Sequence, residues 1–91
     1  MKVLIKSPCS ASTIIQYGIK NWPIWESEPS SFSWNYSERE ICLIIEGEAK
    51  IKTKSGDSFL IKSGDLVQFP KGLYCDWEII KSLKKHFRLG E

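Results

Sequence analysis

The chain has 91 residues, enough for one domain with a single small core, so its apolar side chains must be buried economically. Thirteen Lys and Arg against eleven Asp and Glu leave a net charge of +2. The two signs are mixed along the sequence, which excludes a broad field for nucleic acid. Three cysteines, an odd number with no C-x-x-C pair, argue against a disulfide framework or a zinc ribbon and point to a reducing, cytoplasmic setting. No apolar stretch approaches transmembrane length, and the start from Met1 to Lys6 is too short for the apolar part of a signal peptide, so no membrane partner is expected.

In chain order, Ser7-Pro8-Cys9-Ser10 reads as a loop, and Thr13 to Tyr17, ended by Gly18, allows about one helical turn. Trp22-Pro23-Ile24-Trp25 predicts a strand that seals one end of the fold, with Pro23 at an edge and Trp25 in the core. The runs Ile41 to Ile45 and Phe59 to Ile61 are apolar on both faces. They predict strands covered outside as well as inside, by another sheet or a second subunit, and hence a homodimer. Ala49, Ile51 and Thr53 alternate with Lys50, Lys52 and Lys54, as in a strand with one wet side. Ser55-Gly56 then closes a hairpin. Gly47, Gly56, Gly64 and Gly72 recur at intervals of nine, eight and eight, an all-β rhythm in which each glycine marks a turn. The basic run Lys81, Lys84, Lys85, Arg88 reads as the solvated edge of a terminal strand. Within it Lys85 and Phe87 share one face, so an inward Phe87 turns His86 outward.

One spacing carries the most information: Glu40, six residues, Gly47, and later Gly64, five residues, then Pro70-Lys71-Gly72. These two blocks resemble the paired motifs of the cupin family of small β-barrels. The order Trp34, Tyr36, Glu40, Cys42, Glu46-Gly47, Gly64-Asp65, Phe69-Pro70-Lys71-Gly72, Cys75, Trp77, Lys85-His86 is further similar to the short cupins grouped with the ureidoglycine aminohydrolase cupin domain. The resemblance runs from about Trp22 to Phe87. It implies an all-β fold, the antiparallel double-stranded β-helix or cupin jelly-roll barrel. In that reading residues 1–91 form a single domain of two sheets, with 1–21 as an N-terminal arm and 22–89 as the barrel. In metal-binding cupins two histidines precede the glutamate and a third follows the last glycine. Here Trp34, Tyr36 and Cys75 stand in those places, so no metal and no other cofactor is expected.

Strand phase, with Glu40 taken as inward, gives a cavity lined by Trp34, Tyr36, Glu40, Cys42, Cys75 and Trp77. A carboxylate among aromatic rings must be hydrogen-bonded, protonated or paired with a cation. Trp faces attract cations, which favours a bound cationic group beside Glu40. The expected function is metal-independent binding of a small polar metabolite, an amine or a ureido compound. The alternative is a metal-free enzyme of isomerase or hydrolase type, with Glu40 and Tyr36 as acid and base or Cys75 as nucleophile. The third possibility, a purely structural module, requires a barrel packed shut.

Overall fold

The computed structural model describes residues 2–90. Seven antiparallel strands run in chain order: β1 (Leu4–Lys6), β2 (Ile24–Ser27), β3 (Ser30–Asn35), β4 (Glu40–Thr53), β5 (Ser58–Lys62), β6 (Leu66–Phe69) and β7 (Tyr74–Leu89). One helix, α1 (Ala11–Gln16), and a 3₁₀ turn, Ile19–Asn21, lie between β1 and β2. The helix begins two residues before the expected turn because the Ser10 hydroxyl accepts from the Thr13 backbone N–H at 3.2 Å and caps it. Left-handed Gly18, at φ 60°, follows its end.

The long strands β4 and β7 organise everything else. The first half of β4, from Glu40 to Leu43, lies between β6 and the second half of β7. The second half of β4, from Glu48 to Lys52, lies between β5 and the first half of β7. With β1 on β6, β2 on the end of β7 and β3 on its start, two layers result, one ordered β1-β6-β4-β7-β2 and the other β5-β4-β7-β3. Because β4 and β7 pass through both layers, the expected two sheets are one continuous seven-stranded ladder folded on itself, in jelly-roll fashion. The shared core draws on both layers, with Cys42, Ile44, Val67 and Phe69 from one meeting Ala49, Ile51, Ile61, Trp77 and Ile79 from the other.

Gly47 departs from its expected role as a turn. It sits inside β4 at φ 94°, where register shifts between Ile44 and Ala49 bend the strand from one layer to the other. A Cβ there would lie 2.2 Å from the Ser82 carbonyl oxygen and 2.8 Å from Leu83 Cα, so β4 and β7 can approach only across a glycine. The bend also flips the phase. Glu40, Cys42 and Ile44 face inward before it, Ala49 and Ile51 after it.

Two further expectations change. On the outer face of the first half of β4, Leu43 and, beside it, Leu66 of β6 pack on Ile19, Ile14 and Trp22 of the chain's own N-terminal segment, whereas Leu60 of β5 stays half exposed. The arm is tied down by the Ser7 hydroxyl donating to buried Asp65 and by the Cys9 N–H donating to the Gly64 carbonyl at 2.8 Å. Secondly, β7 is no edge strand. It is flanked by β4 on one side and by β2 and β3 on the other, so the basic run is not a uniformly solvated margin, and Lys85 is only 6% exposed.

Candidate functional site

Inside the barrel lies a cavity of about 250 Å³ whose chemistry comes from β3, β4 and both ends of β7. From β3, Phe32 and Trp34 point in on alternate positions, opposite Trp77 and Cys75 of β7. Tyr36 follows the strand and is fixed by two backbone bonds, its N–H donating to Leu73 and its carbonyl accepting from Gly72. Glu40 opens β4 opposite Leu89, and Trp25 of β2 lies opposite Lys85. Trp34 and Leu89, each about half exposed, stand where the cavity meets solvent.

The aromatic rings form a linked wall. Phe32 and Trp77 stack at 5.8 Å between centroids, Tyr36 stacks on Phe69 at 4.7 Å, and Trp25 meets Phe32 edge-on at 6.1 Å. Into this wall projects a cation, Lys85. The Lys85 ammonium donates to Glu40 Oε2 at 2.6 Å, with both side chains almost wholly buried. It also lies 5.0 Å from the Trp25 ring centroid and 4.9 Å from that of Trp77, within cation–π range of both. Lys85 pairs in register with Ile44, four residues along β4 from Glu40, so its stem runs along the cavity wall to reach the carboxylate.

Glu40 is therefore paired, as the physics of a buried carboxylate demands, and its partner belongs to the protein. The place expected for a bound cation is held by Lys85. Of the six expected lining residues, Trp34, Tyr36, Glu40 and Trp77 come together around the cavity. Cys42 and Cys75 face the barrel interior too, but each is buried in the core behind the wall and neither lines the cavity. Burial pushes the Cys42 thiol up to about 12 and the Cys75 thiol up to about 11. With so little thiolate, neither has the character of a nucleophile. Burial, reinforced by the Glu40 carboxylate, also raises the Tyr36 phenol, so it stays protonated. The buried Trp77 indole N–H sits near Tyr36 and Cys75 without forming a hydrogen bond to either.

Trp25, Phe32, Lys85, Phe87 and Leu89 complete the lining. Three of these carried a signal in the sequence: Phe32 shares the alternation of Trp34, and Lys85 and Phe87 share a face. Trp25 arrives from a separate strand whose register no local pattern specifies. His86 points to the opposite face, where its Nδ1 donates to the Trp22 carbonyl at 3.0 Å and holds the segment entering β2.

The donor set does not suit a metal. Glu40 is engaged by Lys85, Cys75 is buried away from the cavity, and among the described residues no group of three or more His, Cys, Asp or Glu side chains could hold an ion. No helix among them is long and apolar enough to cross a membrane.

Comparison with known proteins places this geometry among relatives. The sequence matches a family described as the EutQ-like cupin domain over residues 16–87. Among solved structures it is similar to a DUF861 family protein from Thermotoga maritima, with 39% identity and a TM-score of 0.94 over 97% of this chain and 99% of that one. A putative ethanolamine utilization protein Q from Salmonella typhimurium aligns at 22% identity and a TM-score of 0.67, over 74% of this chain and 54% of that one. The Clostridium difficile EutQ protein aligns at the same identity and TM-score, over 74% and 52%. The chain thus spans about half the length of these two EutQ proteins, and at that identity the likeness shows the fold alone. No curated protein matches the sequence.

Proposed function

Since the chain belongs to the EutQ-like cupin domain family, we propose that it is a metal-independent cupin that binds one compact polar metabolite, and that the ligand carries a ureido or amide group rather than a free amine. The observation that carries this reading is the Lys85 ammonium seated between Trp25 and Trp77 and paired with Glu40. An amine ligand would have to displace it. The amine would take over Glu40 and the ring faces, and the Lys85 ammonium would be left buried without a counter-charge, at a cost of about 3–5 kcal/mol.

A planar donor–acceptor group needs no displacement. Its N–H donates to the carboxylate of Glu40, which has acceptor capacity beyond its bond to Lys85. Its carbonyl accepts from one of the ammonium hydrogens that Lys85 does not spend on Glu40. The half-exposed ring of Trp34, which lines the cavity, suits a planar group. A cavity of about 250 Å³ limits the rest of the molecule to a few heavy atoms, because it lies below the usual range for drug-sized ligands.

The resemblance to ureidoglycine aminohydrolase cupins supports the ureido choice and goes no further. The reaction of that enzyme draws on a manganese ion held by histidines, and Trp34, Tyr36 and Cys75 occupy the corresponding places here. A metal-free hydrolase or isomerase gains little from this site, since the Cys75 thiol is held up and off the cavity and the Tyr36 phenol stays protonated. Binding without turnover is the better-supported reading.

A thermal-shift panel of small ureas, amides and amines on chelator-treated protein tests the proposal. A ligand present at 100 times its dissociation constant stabilises by about 2.7 kcal/mol. Stabilisation by ureas or amides is the expected result. Stabilisation by amines alone would overturn it.

A further inference from the structure

The outer face of the β1-β6-β4-β7 layer carries a second concavity, unrelated to the barrel interior. It is a groove of about 590 Å³ between this face and α1, lined in part by Lys6, Tyr17, Trp22, Arg39 and Arg88. The strand registers explain its chemistry. Leu4 lies opposite Gln68, Gln68 opposite Ile41, and Ile41 opposite Arg88, so one row across the outer face runs from apolar to cationic. Arg39, just before β4, donates to the Gln68 amide oxygen at 3.1 Å, which holds its guanidinium over this row.

Among the described residues three cations line the groove and no carboxylate does. Glu38 lies against Gly90 at one end, and among the described residues none of Lys6, Arg39 and Arg88 forms an ion pair. Positioning like charges together without a counter-charge is unfavourable and is relieved by an anion. Guanidinium groups suit phosphate and carboxylate oxygens in particular, through paired N–H donors. Tyr17, about half exposed, and partly buried Trp22 add flat apolar surface beside the cations. The volume falls within the usual range of small-molecule sites.

We infer that this groove is a second ligand site, for a small organic anion joining a phosphate or carboxylate to a flat ring, with Arg39 and Arg88 holding the anionic end. Ile41 and Glu40 lie on opposite faces of β4, so the groove and the barrel cavity are separated by the sheet, and this site stands independently of the function proposed for the cavity.

Calorimetric titration with phenyl phosphate, benzoate, inorganic phosphate and phenol at constant ionic strength tests the inference. The full chain is compared with Arg39→Gln, Arg88→Gln and, as a charge control outside the groove, Lys50→Gln at an exposed position. Phenyl phosphate or benzoate should bind saturably, phenol and inorganic phosphate at least about tenfold more weakly, and each arginine substitution should cost about tenfold in affinity while Lys50→Gln changes nothing. Both arginines are at least partly accessible, so the variants are expected to fold, and far-UV circular dichroism checks this. The site is refuted if neither aromatic anion binds at millimolar concentration, if binding survives in both arginine variants, or if Lys50→Gln weakens it as much as they do.

Discussion

A lysine buried between two indoles is stable only while its charge is answered, and in this protein Glu40 answers it at 2.6 Å. The two partners are not equivalent. In Lys85→Met a carboxylate is left in an aromatic pocket with no counter-charge, for an expected loss of about 3–5 kcal/mol. In Glu40→Gln the ammonium keeps two ring faces and an amide oxygen, so the loss should be smaller by about 1–2 kcal/mol. The double variant should recover most of the loss of Lys85→Met, because no buried charge remains. Urea unfolding of the four proteins, with midpoints and slopes compared, checks the order. Equal losses in both single variants would mean that the rings contribute nothing.

The thiols give a pH dependence at the same scale. Folding raises Cys75 from about 9 to about 11 and Cys42 from about 9 to about 12. Above pH 9 the unfolded chain therefore releases protons that the folded one retains. Stability is full below pH 9 and falls as pH rises towards 11 and 12, each thiol adding a slope of up to about 1.4 kcal/mol per pH unit. Urea midpoints at pH 8 and pH 10.5 should differ accordingly, and Cys42→Ala/Cys75→Ala should flatten the difference. An unchanged slope in that variant would assign the effect elsewhere.

At the scale of elements, the bend in β4 is the decisive feature. Gly47→Ala places a methyl group against backbone atoms of β7 at a positive φ, and the expected loss exceeds about 3 kcal/mol. Gly56, at φ 95°, has nothing within 4 Å of a would-be Cβ, so Gly56→Ala meets only the backbone term of about 1–3 kcal/mol. The difference between the two, read from thermal unfolding, isolates the close approach of β4 and β7. Much of this architecture was legible in the chain: alternation placed Ala49 and Ile51 inward, and the two motif blocks brought Glu40 and Trp77 to one cavity. Gly47 was misread as a turn because a glycine at a turn and a glycine at a bulge look alike until the facing strand is known. Lys85 was misread as solvated for a related reason. Its inward phase was visible beside Phe87, but the carboxylate and the two indoles that make burial tolerable lie 8 to 60 residues away in the sequence.

For the whole molecule, the N-terminal segment covers an apolar face of the sheet. Deleting residues 2–21 would uncover Leu43 and Leu66, now 8% and 5% exposed. Sedimentation should then show self-association beyond that of the intact chain, since a bare apolar sheet face seeks a partner. Identical mass distributions for the two proteins would contradict this role of the arm. Chelator treatment should leave both folding and ligand affinity unchanged, because Lys85 already occupies Glu40; loss of either property, restored by one added divalent ion, would contradict the metal-independent reading.

In the function proposed for the cavity, Lys85 fills the cation place and, together with Glu40, reads a ureido or amide group. Calorimetric titration of a size-matched pair, ethylurea and ethylammonium, into the intact protein and into Lys85→Met tests it most directly. The intact protein should bind the urea in preference to the amine, and Lys85→Met should reverse the preference, since removing the lysine frees Glu40 and the two indole faces for a cation from solution. Preference for ethylammonium in the intact protein, or an unchanged preference in Lys85→Met, would contradict the account.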